Sequence, residues 1–330
     1  MTADLDLSFS IADYHRTMPL LNGSVRVDGI RPSFYASAPG EACLRPVYEE
    51  YDVAEMSLSW YVMARARNEP VYALPIFPLR MFIHAYIYCG ANSGIRQPRD
   101  LIGKRVGMDL YRLTVGLWAR GILQENHGVT PSQICWFTSG AEGAGFEVPA
   151  DVEVTITDDN VEEMLLRGDV DALISPNVPN SFRAGDPRIR RLFQPCRQVV
   201  EQYFAETGIF PITHTVVVRE DLLRREPWVA GSLIRAFDTA DAACRKEYDY
   251  PKRLSFPTSM LLLEEEEQRF GKNPWQNGMA PNAHTLAKFM QYAAEQGYTR
   301  RVLSLEEAFW PGAKTSDTAQ QPSRRLMNAI

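Results

Sequence analysis

The chain has 330 residues, 45% of them hydrophobic and 23% charged, which is enough for a large core and about two ordinary domains. Thirty-five basic residues against 41 acidic ones give a formal charge of −6. The two signs are mixed along the sequence, so no basic face is offered to nucleic acid. No apolar run reaches the roughly 18 residues that a membrane helix needs, and the longest, Met81 to Cys89, is interrupted by His84.

Acidic residues Asp4 and Asp6 stand where a secretory leader would carry positive charge, which predicts a cytosolic protein. The five cysteines (Cys43, Cys89, Cys135, Cys196, Cys244) are scattered without a CxxC pair, so reduced thiols are expected rather than a disulfide or zinc framework. Leu5 to Ile11 alternates as a strand does, and Val25 to Ile30 follows as a second strand candidate after the Asn22-Gly23 turn, as a hairpin or βαβ start. Glu41 to Glu50 reads as a short helix and Asp52 to Met56 as a strand. Ser57 to Ala66 reads as a helix with Ser57 at its N-cap.

Phe82 to Cys89 has the composition of a buried strand. Lys104 to Met108 is another, running through a corner at Asp109 to Thr114 into a helix that ends near His127. Ile134 to Phe137 is a strand and Gly140 to Gly145 a glycine-rich loop without the GxGxxG spacing of a nucleotide site. Asp159 to Arg167 is an amphipathic helix stopped by Gly168, Ala172 to Ser175 a strand, and Asn177 to Asp186 irregular. Thr213 to Arg219 is a β-branched strand, followed by helices over Pro227 to Arg245, Thr258 to Phe270 and Thr285 to Gln296. The alternation predicts two α/β lobes. Residues 90–210 form the second, inserted into a first built from 1–89 and 211–312, with strands near Tyr86 and Val216 crossing between them and 313–330 a loose tail.

Several phrases carry a family resemblance: AEMSLSWY (Ala54 to Tyr61), LPIFPLRMFIHAYIY (Leu74 to Tyr88), GIRQPRDLIGKRVGM (Gly94 to Met108), LWARGIL (Leu117 to Leu123) and ETGIFPITHTVVV (Glu206 to Val218). Together with NPWQNGMAPNAHTLAKF (Asn273 to Phe289) they resemble, in collinear order, the 4,5-dihydroxyphthalate decarboxylases. The resemblance implies a two-lobed fold like that of type II periplasmic binding proteins, with mixed sheets and a ligand cleft between the lobes. It further implies loss of one carboxylate as carbon dioxide from a hydroxylated benzene dicarboxylate, without metal or organic cofactor. The chain departs from the family pattern at Leu110 (usually Glu), Arg112 (usually Gln), Ile83 (usually Arg) and Trp60 (usually Ser), and near Ala283 and His284. At the Leu110–Arg112 corner this shifts local charge by about two units, a few-kcal/mol matter for an anionic ligand.

Such a decarboxylation needs a proton for the ring carbon, a dipole or base for the phenol and a cationic anchor. His84 and His214, one on each predicted crossing strand, are the candidate proton carriers; the competing reading makes each a packed core histidine. Arg80 and Arg112, then Arg183 and Arg120, are candidates to grip a carboxylate through the guanidinium fork. Ser57, Ser59 and Thr114 are candidate hydroxyl donors at helix starts, against ordinary capping. Tyr111 and Tyr14 are candidates for the phenol oxygens, Phe210 and Trp60 for stacking on the ring, and Glu55 for orienting a histidine. His15, His127 and His284 lack metal-ligand spacing, and the Glu264 to Glu267 run reads as a solvated helix face. The partner is expected to be a small aromatic dicarboxylate, with self-association open. A non-catalytic receptor for an aromatic anion is the alternative.

Overall fold

The computed structural model describes residues 4–36, 47–142 and 145–312; the expected tail at 313–330 and the segment 41–46 of the first expected helix lie outside them. Among the described residues, eleven strands form two mixed sheets. The strands are β1 (Leu5–Ile11), β2 (Ile30–Ala36), β3 (Val53–Ser57), β4 (Val71–Leu74), β5 (Ile87–Gly90), β6 (Arg105–Met108), β7 (Cys135–Thr138), β8 (Val154–Ile156), β9 (Ala172–Ile174), β10 (Ile189–Arg191) and β11 (His214–Arg219).

The first sheet runs β2-β1-β3-β11-β4 and the second β10-β5-β9-β6-β7-β8. In the first, β1 pairs parallel with β2 and β3, while β11 lies antiparallel between β3 and β4. In the second, β6 to β9 are parallel, and β5 runs antiparallel to both β9 and β10. Helices lie against both, as βαβ crossovers require. The early segment is thus a parallel βαβ-like unit, with the second strand five residues later than Val25.

The segment expected as one strand from Phe82 to Cys89 is instead a 3-10 turn, Ile83–Tyr86, followed by β5. β5 bonds to β9 and β10, so the second sheet begins at Ile87, and neither β5 nor β11 crosses between sheets. The crossovers are the segments 75–86 and 192–213, which pair with each other. Met81 N–H donates to the Pro211 carbonyl at 3.0 Å, Thr213 N–H donates to Leu79 at 3.0 Å, and Arg80 faces Ile212. Phe82 to Cys89 is an almost unbroken apolar run, which carries no period that would separate a turn from a strand.

The C-terminal elements tie the lobes. The helix Ala283–Glu295 packs on the second-lobe helix Thr114–His127, with Phe289 and Tyr292 against Trp118. Further on, the Ala308 carbonyl accepts from Tyr61 Oη and Trp310 N–H reaches Ala73 in β4. One apolar core runs without a break from Met56 and Leu58 of the first lobe to Trp118 and Trp136 of the second.

Candidate active site

The first polar cluster forms where β3 and β11 end together. His214 opens β11 directly opposite Ser57, the last residue of β3. Two residues back on β3, buried Glu55 places Oε1 2.5 Å from His214 Nδ1. The same carboxylate accepts from Tyr14 Oη at 2.7 Å and from the Ala12 N–H at 3.2 Å. A carboxylate held on several sides fixes the imidazole ring and its tautomer, so the histidine's chemistry falls to Nε2. Arg16 lies over the Tyr14 ring and over Trp275, 3.8 Å from the latter's centroid, and donates to the Pro78 carbonyl.

Arg80 belongs to the adjoining crossover. It is only 5% exposed, and its Nη2 donates to the Gln276 carbonyl (2.8 Å) and Asn282 Oδ1 (2.7 Å), while buried Nε has no hydrogen-bond partner among the described residues. Burial, with the neighbouring Arg16 charge, lowers its pKa to about 9. It lies within reach of the Asp241 charge, but no carboxylate pairs with it at salt-bridge distance among the described residues, so a buried guanidinium of this kind can take an anion. It borders a cavity of about 450 Å³ whose walls are aromatic (Phe82, Tyr86, Phe210, Phe270, Trp275) and whose other charges are Arg191, Arg197 and Glu266. Phe82 and Phe210 face each other across the paired crossovers, stacked at 4.5 Å, and Trp275 meets Phe210 edge-on at 5.1 Å. The Glu264–Glu267 run is therefore more than a solvated face: Glu265 pairs with Arg197 at 2.5 Å, and Glu266 looks onto the cavity.

The second cluster is the strand-to-helix corner of the second lobe, pressed against the first. Thr114 Oγ1 lies 2.7 Å from Ser57 Oγ and accepts from the Ser59 N–H at 2.9 Å, while Ser59 Oγ donates to the Arg112 carbonyl at 2.9 Å. Ser57 stands at the N-cap position of the helix Leu58–Ala66 but makes no cap bond; Thr114 of the opposite lobe supplies the oxygen that an N-cap would. Arg112 stacks on Trp60 at 3.7 Å, and Glu142 accepts from the N–H groups of Tyr111 (2.6 Å) and Arg112 (3.1 Å).

Of the residues expected from sequence, His214, Ser57, Ser59, Thr114 and Arg112 gather at this lobe junction, and Arg80 and Phe210 line the adjoining cavity. Tyr111 is wholly buried, its ring against Trp136 and the Arg120 guanidinium. Arg120 is buried and bonded to Gln296, Tyr298 and the Tyr111 carbonyl. His84 is 2% exposed and caged by Phe193 and Tyr203 at 4.9 and 4.6 Å. Burial, then the nearby His127, lowers its pKa to about 4, so it is neutral at physiological pH. Arg183, itself exposed, ends the short helix Asn180–Arg183 and is not among the cavity's lining residues. Sequence reading did not single out Arg16, Glu142, Arg191 or Arg197. Trp275 lies within a quoted family phrase, and only that phrase could have drawn attention to it. Among the described residues, no group of three His, Cys, Asp or Glu side chains is placed to share a metal ion, and no helix is long and apolar enough to cross a membrane.

Two α/β lobes on paired crossovers, with a polar seam between them, define the class: a periplasmic-binding-protein-like fold. Solved structures agree. The aliphatic sulphonate-binding protein SsuA of Escherichia coli matches with a TM-score of 0.58 at 15% identity over 99% of this chain and 97% of its own. The alkanesulfonate-binding SsuA of Xanthomonas axonopodis pv. citri matches at 0.54 and 12%, over 94% and 99%. No family model matches. A 4,5-dihydroxyphthalate decarboxylase of Comamonas testosteroni is 32% identical over 324 residues, 94% of this chain and 98% of that protein. One of Pseudomonas putida is 37% identical over 200 residues, 58% of this chain and 78% of its own length. The chain belongs to the 4,5-dihydroxyphthalate decarboxylase family, and is a carboxy-lyase.

Proposed function

We propose that the chain decarboxylates a hydroxylated benzene dicarboxylate of the 4,5-dihydroxyphthalate kind, releasing carbon dioxide and a hydroxybenzoate. The observation that carries this reading is the buried His214–Glu55 pair, joined through the His214 N–H to the carbonyl of Leu79, whose neighbour Arg80 lines an aromatic-walled cavity that His214 itself does not line. The ring of such a substrate suits walls of Phe82, Phe210 and Trp275. Arg80, whose Nε has no hydrogen-bond partner, suits the carboxylate that is retained. His214 stands next to this anchor through the backbone, since its N–H and that of Thr213 both donate to the Leu79 carbonyl.

In the reaction, His214 gives the proton on Nε2 to the ring carbon bearing the leaving carboxylate, with the electron pair supplied by the ring and pushed by the phenol oxygen. The carbon–carboxylate bond then breaks, its electrons restore the aromatic ring, and carbon dioxide departs. Glu55 stabilises the imidazolium before transfer, and solvent returns the proton afterwards. The chemistry of these residues needs no added cofactor. A reducing, cytosolic compartment fits the free thiols of Cys89, Cys135, Cys196 and Cys244.

The test is to incubate the purified protein with hydroxylated phthalates and measure carbon dioxide and monoacid. His214→Gln should lower kcat by 10²- to 10⁴-fold, the usual contribution of general acid catalysis, while leaving ligand affinity within a few-fold. No product from any member of the panel, or full turnover by His214→Gln, refutes the reading.

A further inference from the structure

Around the second-lobe corner, two buried nitrogens of one stacked pair lack hydrogen-bond partners among the described residues: Arg112 Nε and Trp60 Nε1. Orphaned buried donors are rare, and each calls for an explanation. Arg112 is 6% exposed and directs Nε toward Glu142 Oε2, yet at 3.7 Å the two are too far apart to bond. Glu142 instead spends its oxygens on the backbone N–H groups of Tyr111 and Arg112, at 2.6 and 3.1 Å, just ahead of the 14-residue helix Thr114–His127. Its carboxylate thus sits in a cradle of N–H donors backed by a helix N-terminus, an arrangement that favours anions. It pairs with the Arg112 charge at 3.7 Å but leaves Arg112 Nε without a hydrogen bond among the described residues. The cradle joins both lobes, since Ser59 Oγ donates to the Arg112 carbonyl and Thr114 bonds Ser57 and Ser59. Ser57 in turn faces His214 across the sheet.

We propose that this corner is a carboxylate subsite of the enzyme, that Glu142 occupies it as an internal stand-in, and that a substrate carboxylate displaces Glu142 and takes up both N–H groups and Arg112 Nε. The idea rests on the reading of the substrate as an aromatic dicarboxylate. It makes Glu142 a gate: the seat is neutral while the glutamate fills it and cationic once the glutamate leaves, so binding exchanges one carboxylate for another. The cost of displacing Glu142 sets a tax on affinity that any ligand lacking a carboxylate cannot offset.

The probe is phthalate, which lacks the ring hydroxyls, titrated calorimetrically into the full chain. Glu142→Gln should bind it about tenfold more tightly than the wild type, and Arg112→Ala about tenfold more weakly. The double variant should lose the gain. Asp151→Asn, which removes a charge close to Tyr111 without vacating the seat, should leave affinity within twofold. Glu142→Asp, which keeps the charge on the loop but draws the carboxylate back, guards against misfolding of the first variant and should also tighten binding. Affinity that rises in neither Glu142 variant, an equal gain from Asp151→Asn, or no phthalate binding at all overturns the proposal. Turnover of hydroxylated phthalates with unchanged Glu142→Gln affinity would remove the gate and leave the decarboxylase reading standing. A tighter Glu142→Gln in a chain that makes no carbon dioxide would do the opposite.

Discussion

Two histidines that look alike in sequence have opposite surroundings. His214 meets a carboxylate at 2.5 Å, whereas His84 packs against the rings of Phe193 and Tyr203 with His127 nearby. Burial makes the protonated form of His84 costly, which is the cause of its pKa near 4. The consequence for stability has a definite sign. Above pH 6.5 the imidazole is neutral folded or unfolded and contributes nothing to pH dependence. As pH falls from about 6.5 through 4, the unfolded chain takes up a proton that the folded chain refuses, and stability is lost. The gap between those values amounts to roughly 3 kcal/mol once complete. His84→Leu, which fits an aromatic cage, should lose visibly less stability than the wild type between pH 7 and 4 in urea unfolding. Parallel acid limbs for the two proteins would contradict this account. The same contrast explains what residue-level reading could recover: histidine is visible as a titrating group in any sequence, but whether a carboxylate or two rings surround it depends on residues 109 to 159 positions away.

At the scale of elements, the packing of the helix Thr114–His127 on the helix Ala283–Glu295 rests on one missing side chain. A Cβ at Gly121 would stand 2.1 Å from Tyr292 Cδ2. The tyrosine has little room to give, held edge-on by Trp118 and hydrogen-bonded to Glu125. Gly121→Ala would gain about 1 kcal/mol of helix propensity but overpack the interface by about 1–3 kcal/mol. The net expectation is a lower denaturation midpoint, and a stabilised variant would show that the helices do not depend on this close approach. Elements with end signals or a β-branched run of their own were legible, even where they are buried along most of their length. The helix Thr114–His127 has both ends where the sequence puts them, closed by Gly128 in the left-handed region at φ 66°, and β11 starts one residue from its expected place. The helix Cys196–Thr207 was not, because it follows Pro195 with no side-chain cap to mark its start and buries only Val200 and Tyr203. Three-residue strands such as β8 and β10 exist through their neighbours' hydrogen bonds rather than through any pattern of their own. The site follows the same logic. Residues carried at the ends of regular elements (Ser57, Thr114, His214) could be picked out in advance, while Arg16, Glu142 and Trp275 arrive on turns and loops.

For the whole molecule, a formal charge of −6 coexists with a cavity bordered by Arg80, Arg191 and Arg197, so the field a small dianion meets is set locally and not by the total. The two lobes are also less separate than two sheets suggest. The core is continuous across them, Trp118 Nε1 of the second lobe donates to the Ile212 carbonyl of a crossover at 2.8 Å, and the C-terminal elements clasp Tyr61 on one side and Trp118 on the other. Units that share a core unfold together, so calorimetry should show one transition rather than two. A dianion seated against residues of both lobes binds the folded state alone, and mass action at a hundred times Kd then adds about 2.7 kcal/mol. With an unfolding entropy of about 2.1 cal/mol/K per residue, that single transition should move up by roughly 4 °C with phthalate. Two resolved transitions, of which phthalate moves only one, would mean that the lobes fold independently and that the ligand belongs to one of them.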